Sequence, residues 1–153
     1  MSDRKTHLGA GAVVGLGVGL YMVRNLEGWP VLARLVGAAL ASVAGAAMPD
    51  VLEPALHSWH RRSFHSWGAL AGMAGVTLGP PVAARGWIAE REAVAERCRA
   101  QREALPVDHP ERAGLWLAEM FEHFLIAAAL GLPAGYASHL LLDAASSRGL
   151  PPI

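Results

Sequence analysis

Cysteine is almost missing from this 153-residue chain. Its one thiol, Cys98, has no second cysteine to bridge, and a cysteine-based zinc knuckle is excluded with it. Net charge is missing as well: 13 Lys and Arg balance 13 Asp and Glu. Without a basic footprint, no nucleic-acid partner is expected. Aromatic residues are scarce, at 7% against 53% hydrophobic overall. That apolar fraction excludes a disordered chain. With 17 glycines and few large rings, however, a soluble core of single-domain size would be short of buried area. The alternative is that lipid covers much of the apolar surface. Two catalytic signatures are also lacking, since neither G-x-G-x-x-G nor G-x-S-x-G occurs.

What is present is a set of uncharged runs. Leu8–Val23 has 16 residues, Leu35–Met48 has 14, Trp67–Ala84 has 18 and Phe124–Leu142 has 19. A spanning helix needs about 20 apolar residues, so only the last is full length. None shows a polar stripe at helical period, which predicts helices covered on every side. Gly11, Gly15 and Gly19 repeat at intervals of four, the spacing that lets helices in lipid approach closely. The five tryptophans mostly flank the runs, as interfacial aromatics do. The expected fold is all-α: a single membrane-embedded helical domain over residues 1–153, multi-pass, with about four apolar helices and a charged helical loop at 85–112. No signal-peptide cleavage site is evident behind Arg4-Lys5, so the first run is read as retained.

The charged stretch Arg85–Arg112 holds six arginines and six acids. It reads as a solvated surface helix or hairpin ending near Pro106, with no chemistry of its own. Glu119, Glu122 and His123 form a Glu-x-x-Glu-His step at the start of the last run. With charged neighbours, this step reads as a solvated, interfacial helix start.

The remaining histidines and aspartates cluster at run ends. Thr6-His7 opens the first run and Pro49-Asp50 closes the second. Glu53, His57, His60 and His65 follow before the third, and His139 and Asp143 close the fourth. Taken singly, each is as easily a cap: Asp50 after Pro49, or Thr6 at a helix start. Counting crossings changes the reading. If each run crosses once, the His7 end, the 50–65 loop and the His139/Asp143 end share one face. His139 and Asp143, at i and i+4, project from one side of a helix. His60 and His65 flank Arg61-Arg62, a basic step able to hold an anion. A set of imidazoles and carboxylates suits Zn, Mn or Fe and the chemistry of hydrolytic metal sites. Ionisable groups at membrane depth are functional candidates because burying them is costly.

Four ordered motifs add a resemblance. THLGAG at Thr6–Gly11, MPDVLEP at Met48–Pro54, HRRSFHS at His60–Ser66 and SHLLLDAASSRGLPPI at Ser138–Ile153 together resemble the YdjM-like family of LexA-binding, inner-membrane-associated, metal-dependent hydrolases. The resemblance covers essentially the whole chain. It implies a helical integral membrane protein of the inner membrane and points to His7, Asp50, His60, His65, His139 and Asp143 as metal ligands. Two positions depart from the family pattern. Leu52 stands where many relatives carry a second acid, so either Glu53 replaces that carboxylate or one metal position is weakened. Phe64 stands where a threonine is usual.

The expected function is therefore metal-dependent hydrolysis of an ester or phosphoester at one membrane face, with Zn or Mn as the cation. Glu53 is expected as a further ligand or general base, and Arg61 or Arg62 as the anion-binding group. Membrane lipid is the expected partner, with a lipid-like or phosphoester substrate; a protein partner and the oligomeric state stay open. The alternative is a non-catalytic membrane scaffold or regulator with a structural metal site. Five basic residues on the motif face against eight on the other leave the orientation open.

Overall fold

The computed structural model describes residues 4–52 and 64–145. Among them are five helices and no strand: α1 (Arg4–Met22), α2 (Trp29–Leu52), α3 (Trp67–Leu78), α4 (Val82–Ala104) and α5 (Glu111–Ala144). The chain is all-α, as its uncharged runs imply. Each run finds its helix, and the breaks fall where the backbone demands them. Gly28 takes φ +71° in the α1–α2 turn, a left-handed conformation that glycine adopts without a Cβ clash. Pro30 follows in the first turn of α2, where a missing N–H costs nothing. The third run breaks at Gly79-Pro80, so α3 stops after 12 residues.

α5 is the axis. The other four helices all pack on it, and α1 and α2 also pack on each other, while α3 meets no helix but α5. Small residues set these contacts. A Cβ added at Gly11 would lie 2.7 Å from the Ala46 Cβ, and one at Gly15 would lie 2.6 Å from the Ser42 Cβ. Ser42 uses the proximity, donating its Oγ–H to the Gly11 carbonyl at 2.7 Å. The repeat of glycines at intervals of four is thus the α1 face that meets α2, the packing such spacing permits. Gly131 and Gly135 of α5 face the α2 backbone at Ala38 and Ser42 in the same way. A modest apolar cluster of Leu70, Tyr136, Ala137 and Leu140 joins α3 to α5.

The larger apolar residues point the other way. Val13, Leu16 and Leu20 of α1 and Leu32, Val36 and Leu40 of α2 are exposed, each set at helical spacing along an outer face. On these two helices Gly11, Gly15, Gly37, Ala38 and Ala46 lie inside while these leucines and valines lie outside. Among the described residues, two helices are long and apolar enough to cross a membrane, α2 and α5. That is fewer than the expected four. α3 is about 18 Å long at 1.5 Å per residue, too short to cross alone, and α1 spends its first turn on Arg4, Lys5 and His7.

Candidate metal centre

Five of the residues singled out from the sequence meet at one end of this bundle: His7 from α1, Asp50 from α2, His65 before α3, and His139 and Asp143 from α5. Glu53, His60, Arg61 and Arg62 lie outside the described residues. The local structure explains the placement. The glycine face of α1 brings His7 onto α5, where its ring stacks on His139 with centroids 3.9 Å apart. Pro49 sits buried near the end of α2, and Asp50 follows with its side chain half-exposed. His65 is held from both sides. The Tyr136 hydroxyl donates to the Phe64 carbonyl at 2.9 Å, and Ser66 caps α3 by accepting from the Ala69 N–H. His139 and Asp143 stand one turn apart on the axis helix.

The ring nitrogens are oriented as ligands would be. His139 Nδ1 lies 2.6 Å from the Ala46 carbonyl, which makes Nδ1 the protonated nitrogen and leaves the Nε2 lone pair facing the acids. From Nε2, Asp50 Oδ1 is 3.7 Å away and Asp143 Oδ2 3.6 Å. His65 Nε2 lies 3.5 Å from Asp50 Oδ1 and 3.8 Å from Asp143 Oδ2. His7 Nε2 lies 3.6 Å from Asp143 Oδ1. These separations exceed the roughly 2.7–3.2 Å of an N–H···O hydrogen bond. They come close to the edge of a tetrahedron around a cation with ligands at 2.0–2.2 Å, about 3.3–3.6 Å. His7, His65, His139 and Asp143 are all buried, and His7 Nδ1 has no hydrogen-bond partner.

Among the described residues, two groups of three could each hold a metal ion: His7, His139 and Asp143, and Asp50, His65 and His139. They share His139. Since its Nδ1 is engaged by Ala46, one ion at a time can use that residue. The second group is the more open, because Asp50 is its half-exposed member. A filled site with a ligand facing solvent can admit a water or substrate, which a closed structural site cannot.

The opposite end of α5 corrects the sequence reading. Glu119, Glu122 and His123 are buried, not a solvated helix start, and the charged helix α4 covers them. Arg99 Nε and an Arg102 terminal nitrogen hold the two Glu119 oxygens at 2.9 and 3.0 Å. Arg91 reaches Glu122 at 3.3 Å. Arg34, buried on α2, donates to His123 Nδ1, to the Met22 carbonyl and to Glu92. The hydrogen bond to Glu119 pushes the Arg99 guanidinium above its ordinary pKa, against a smaller opposing effect of burial. This end is an ion-paired clamp, and the 85–112 segment that carries most of its arginines is not merely solvated. No spacing in the sequence signals it, because Arg99 and Arg102 converge on Glu119 while Arg91, eight residues before Arg99, takes Glu122.

α5 runs unbroken through Pro133, so His123 and His139 stay about 24 Å apart at 1.5 Å per residue. The two polar groups are therefore separate sites. Compared with family models, with curated proteins and with solved structures, the chain matches none of them.

Proposed function

We propose that the chain is a multi-pass protein of a bacterial-type inner membrane that uses a divalent cation, Zn or Mn, to hydrolyse an ester or phosphoester at one membrane face. One observation carries the reading: three imidazole Nε2 atoms and two carboxylates from four separate segments converge at ligand spacing, at one end of a bundle whose α1 and α2 are apolar on their outer faces. His7, His65, His139, Asp50 and Asp143 would hold the cation, which when bound supplies Lewis acidity and lowers the pKa of a water. The chain's own groups do the rest. His139 is fixed in one tautomer by Ala46, and Asp50 opens the site to solvent. Glu53, three residues after Asp50, is the general base that takes the proton of the attacking water. Arg61 or Arg62 holds the substrate anion. The water oxygen bonds to carbon or phosphorus, the ester C–O or P–O bond breaks, and the leaving alcohol takes up the proton.

Support for the membrane comes from the outward leucines and valines, since a soluble monomer rarely exposes so continuous an apolar surface. Motif order supports the chemistry, through the resemblance to the YdjM-like metal-dependent hydrolases.

The test is metal analysis of detergent-purified protein, wild type against Asp143→Asn, with hydrolysis of bis(p-nitrophenyl) phosphate and p-nitrophenyl acetate followed with and without chelator. Stoichiometric Zn or Mn in the wild type, lost in the variant, together with chelator-sensitive turnover is the expected result. Substoichiometric metal unchanged by the substitution would overturn the site. Metal present, turnover absent and chelation unfolding the protein would instead identify a structural site in a non-catalytic scaffold.

A further inference from the structure

A crevice of about 330 Å³ lies away from the histidine cluster, lined by Gly17, Val18 and Tyr21 of α1, Thr77 and Leu78 of α3, and Leu130 of α5. It exists because α1 and α3 both pack on α5 but not on each other, so α5 floors a gap that opens sideways. Nothing fills it from within. A Cβ at Gly17 would meet no atom within 4 Å, and the rim residues Tyr21 and Leu78 are exposed.

Its position relative to the cluster is what gives it meaning. Each wall begins at a cluster residue. Ten residues separate His7 from Gly17, nine separate Leu130 from His139, and twelve separate His65 from Thr77. At 1.5 Å per helical residue the first two are about 15 and 14 Å, and the helical part of the third, Trp67 to Thr77, is about 15 Å. Three independent helices thus agree on one depth. The hydrocarbon core of a bilayer is about 30 Å thick, so one leaflet is about 15 Å. On α1, His7, Val14, Val18 and Tyr21 also fall on one side of the helix at steps of seven, four and three. A cluster at headgroup depth would therefore place the crevice at the inner end of the same leaflet, open to lipid along its length.

We infer that the substrate of the proposed hydrolase is a lipid, with its ester or phosphoester at the histidine cluster and one acyl chain lying between α1 and α3 so that its end occupies this crevice. The inference rests on the proposed hydrolytic reading for its headgroup chemistry. It rests on the crevice alone for the chain. A mostly apolar gap, whose Thr77 hydroxyl is already engaged by the Met73 carbonyl, selects chains by length and shape, which sets orientation and hence reaction at the cluster.

Gly17→Phe is the direct test, because that position has room for a ring and the change fills the crevice from α1. Leu78→Trp fills it from the opposite wall at a position already exposed. Unchanged metal content reports that the cluster and bundle are intact in each variant. Two readouts are compared. The first is hydrolysis of p-nitrophenyl dodecanoate against p-nitrophenyl acetate in the same micelles. The second is crosslinking by dodecylphosphonic acid carrying a diazirine at its chain end, which needs no turnover. The expected result is a loss of about tenfold or more in kcat/KM on dodecanoate in both variants, with acetate unaffected. Crosslinks should map to 14–21 and 73–78 in the wild type and vanish in both variants. Micelle partitioning is common to wild type and variants, so their ratio isolates the crevice. Crosslinks at those segments, lost in the variants but without turnover on any ester, would uphold the chain site and overturn the hydrolase. Chelator-sensitive turnover that ignores chain length and both substitutions would overturn the chain site and leave the hydrolase standing. Crosslinks spread over the outer faces of α2 and α5, unchanged in the variants, would also overturn it.

Discussion

The two ends of α5 use the same side chains for different purposes. At one end, the Glu119 and Glu122 carboxylates meet arginines of α4 at 2.9–3.3 Å, hydrogen-bond distances that satisfy a buried acid with a permanent cation. At the other, Asp50 and Asp143 face imidazoles at 3.5–3.8 Å, a spacing that suits a small cation held among them. A buried carboxylate is thus no signature of function by itself. Its partner decides: guanidinium for a clamp, imidazole at ligand spacing for a centre.

The largest effect should come from the imidazole end. Asp143→Asn keeps the shape of the side chain but removes its charge, and the metal affinity of the detergent-purified protein should fall by about a hundredfold or more, read by competition with a chromophoric chelator. Loss of a merely supporting contact costs about 10–100-fold, so a smaller drop would argue that Asp143 orients the histidines without ligating. Proton competition gives a second handle on the same end. Ligating imidazoles must be neutral, so affinity should fall on acidification as protons compete for the ligand nitrogens. At the clamp, the raised Arg99 pKa means that the guanidinium stays charged through this acidification, and its contribution is lost as pH rises through a value above the ordinary arginine range. Metal release on mild acidification, with α4 still docked, would separate the ends. Simultaneous loss of both would merge them.

Next in size is the clamp. Glu119→Gln leaves Arg99 and Arg102 without their shared carboxylate and should destabilise the α4–α5 contact by about 2–3 kcal/mol. A fully buried pair would lose about 3–5, but these guanidiniums keep some contact with solvent. Limited proteolysis within 82–104 should accelerate while metal content stays unchanged. If metal content falls in step, the ends are coupled along α5 and the contrast between them is wrong.

Much of the imidazole end was legible in the sequence because it depends on order along the chain. Runs that alternate in direction bring His7, Asp50, His65, His139 and Asp143 to one face whatever the packing details, and i, i+4 spacing aligns His139 with Asp143. The clamp was not legible in the same way. Whether α4 folds back on α5 depends on the turn at 105–110, and six arginines among six acids look the same solvated or docked. Arg34 shows the difficulty: a lone charge in an apolar stretch, its partners His123 and Glu92 are 89 and 58 residues away. The count of crossing helices was overdrawn for a related reason. An uncharged run records composition, whereas α3 is cut at Gly79-Pro80 and α1 gives its first turn to the cluster.

The smallest predicted effects test why α1 delivers His7 at all. Gly15 and Gly9 lie six residues apart on the same helix, and alanine is the better helix former by about 0.5–1 kcal/mol at either position. At Gly9 an added Cβ would meet nothing within 4 Å, so Gly9→Ala should raise the unfolding midpoint slightly and leave metal affinity alone. At Gly15 the same methyl would fall 2.6 Å from the Ser42 Cβ and 2.7 Å from the Ala38 carbonyl oxygen, both on a helix that cannot yield locally. Overpacking of that kind costs about 1–3 kcal/mol, so Gly15→Ala should lower the midpoint despite its better propensity. Because α1 must then move away from α2, His7 should withdraw from His139 and metal affinity should weaken with it. Equal gains at both positions would show that α1 and α2 are not held by close approach of their backbones. His7 would then need another reason to sit in the cluster.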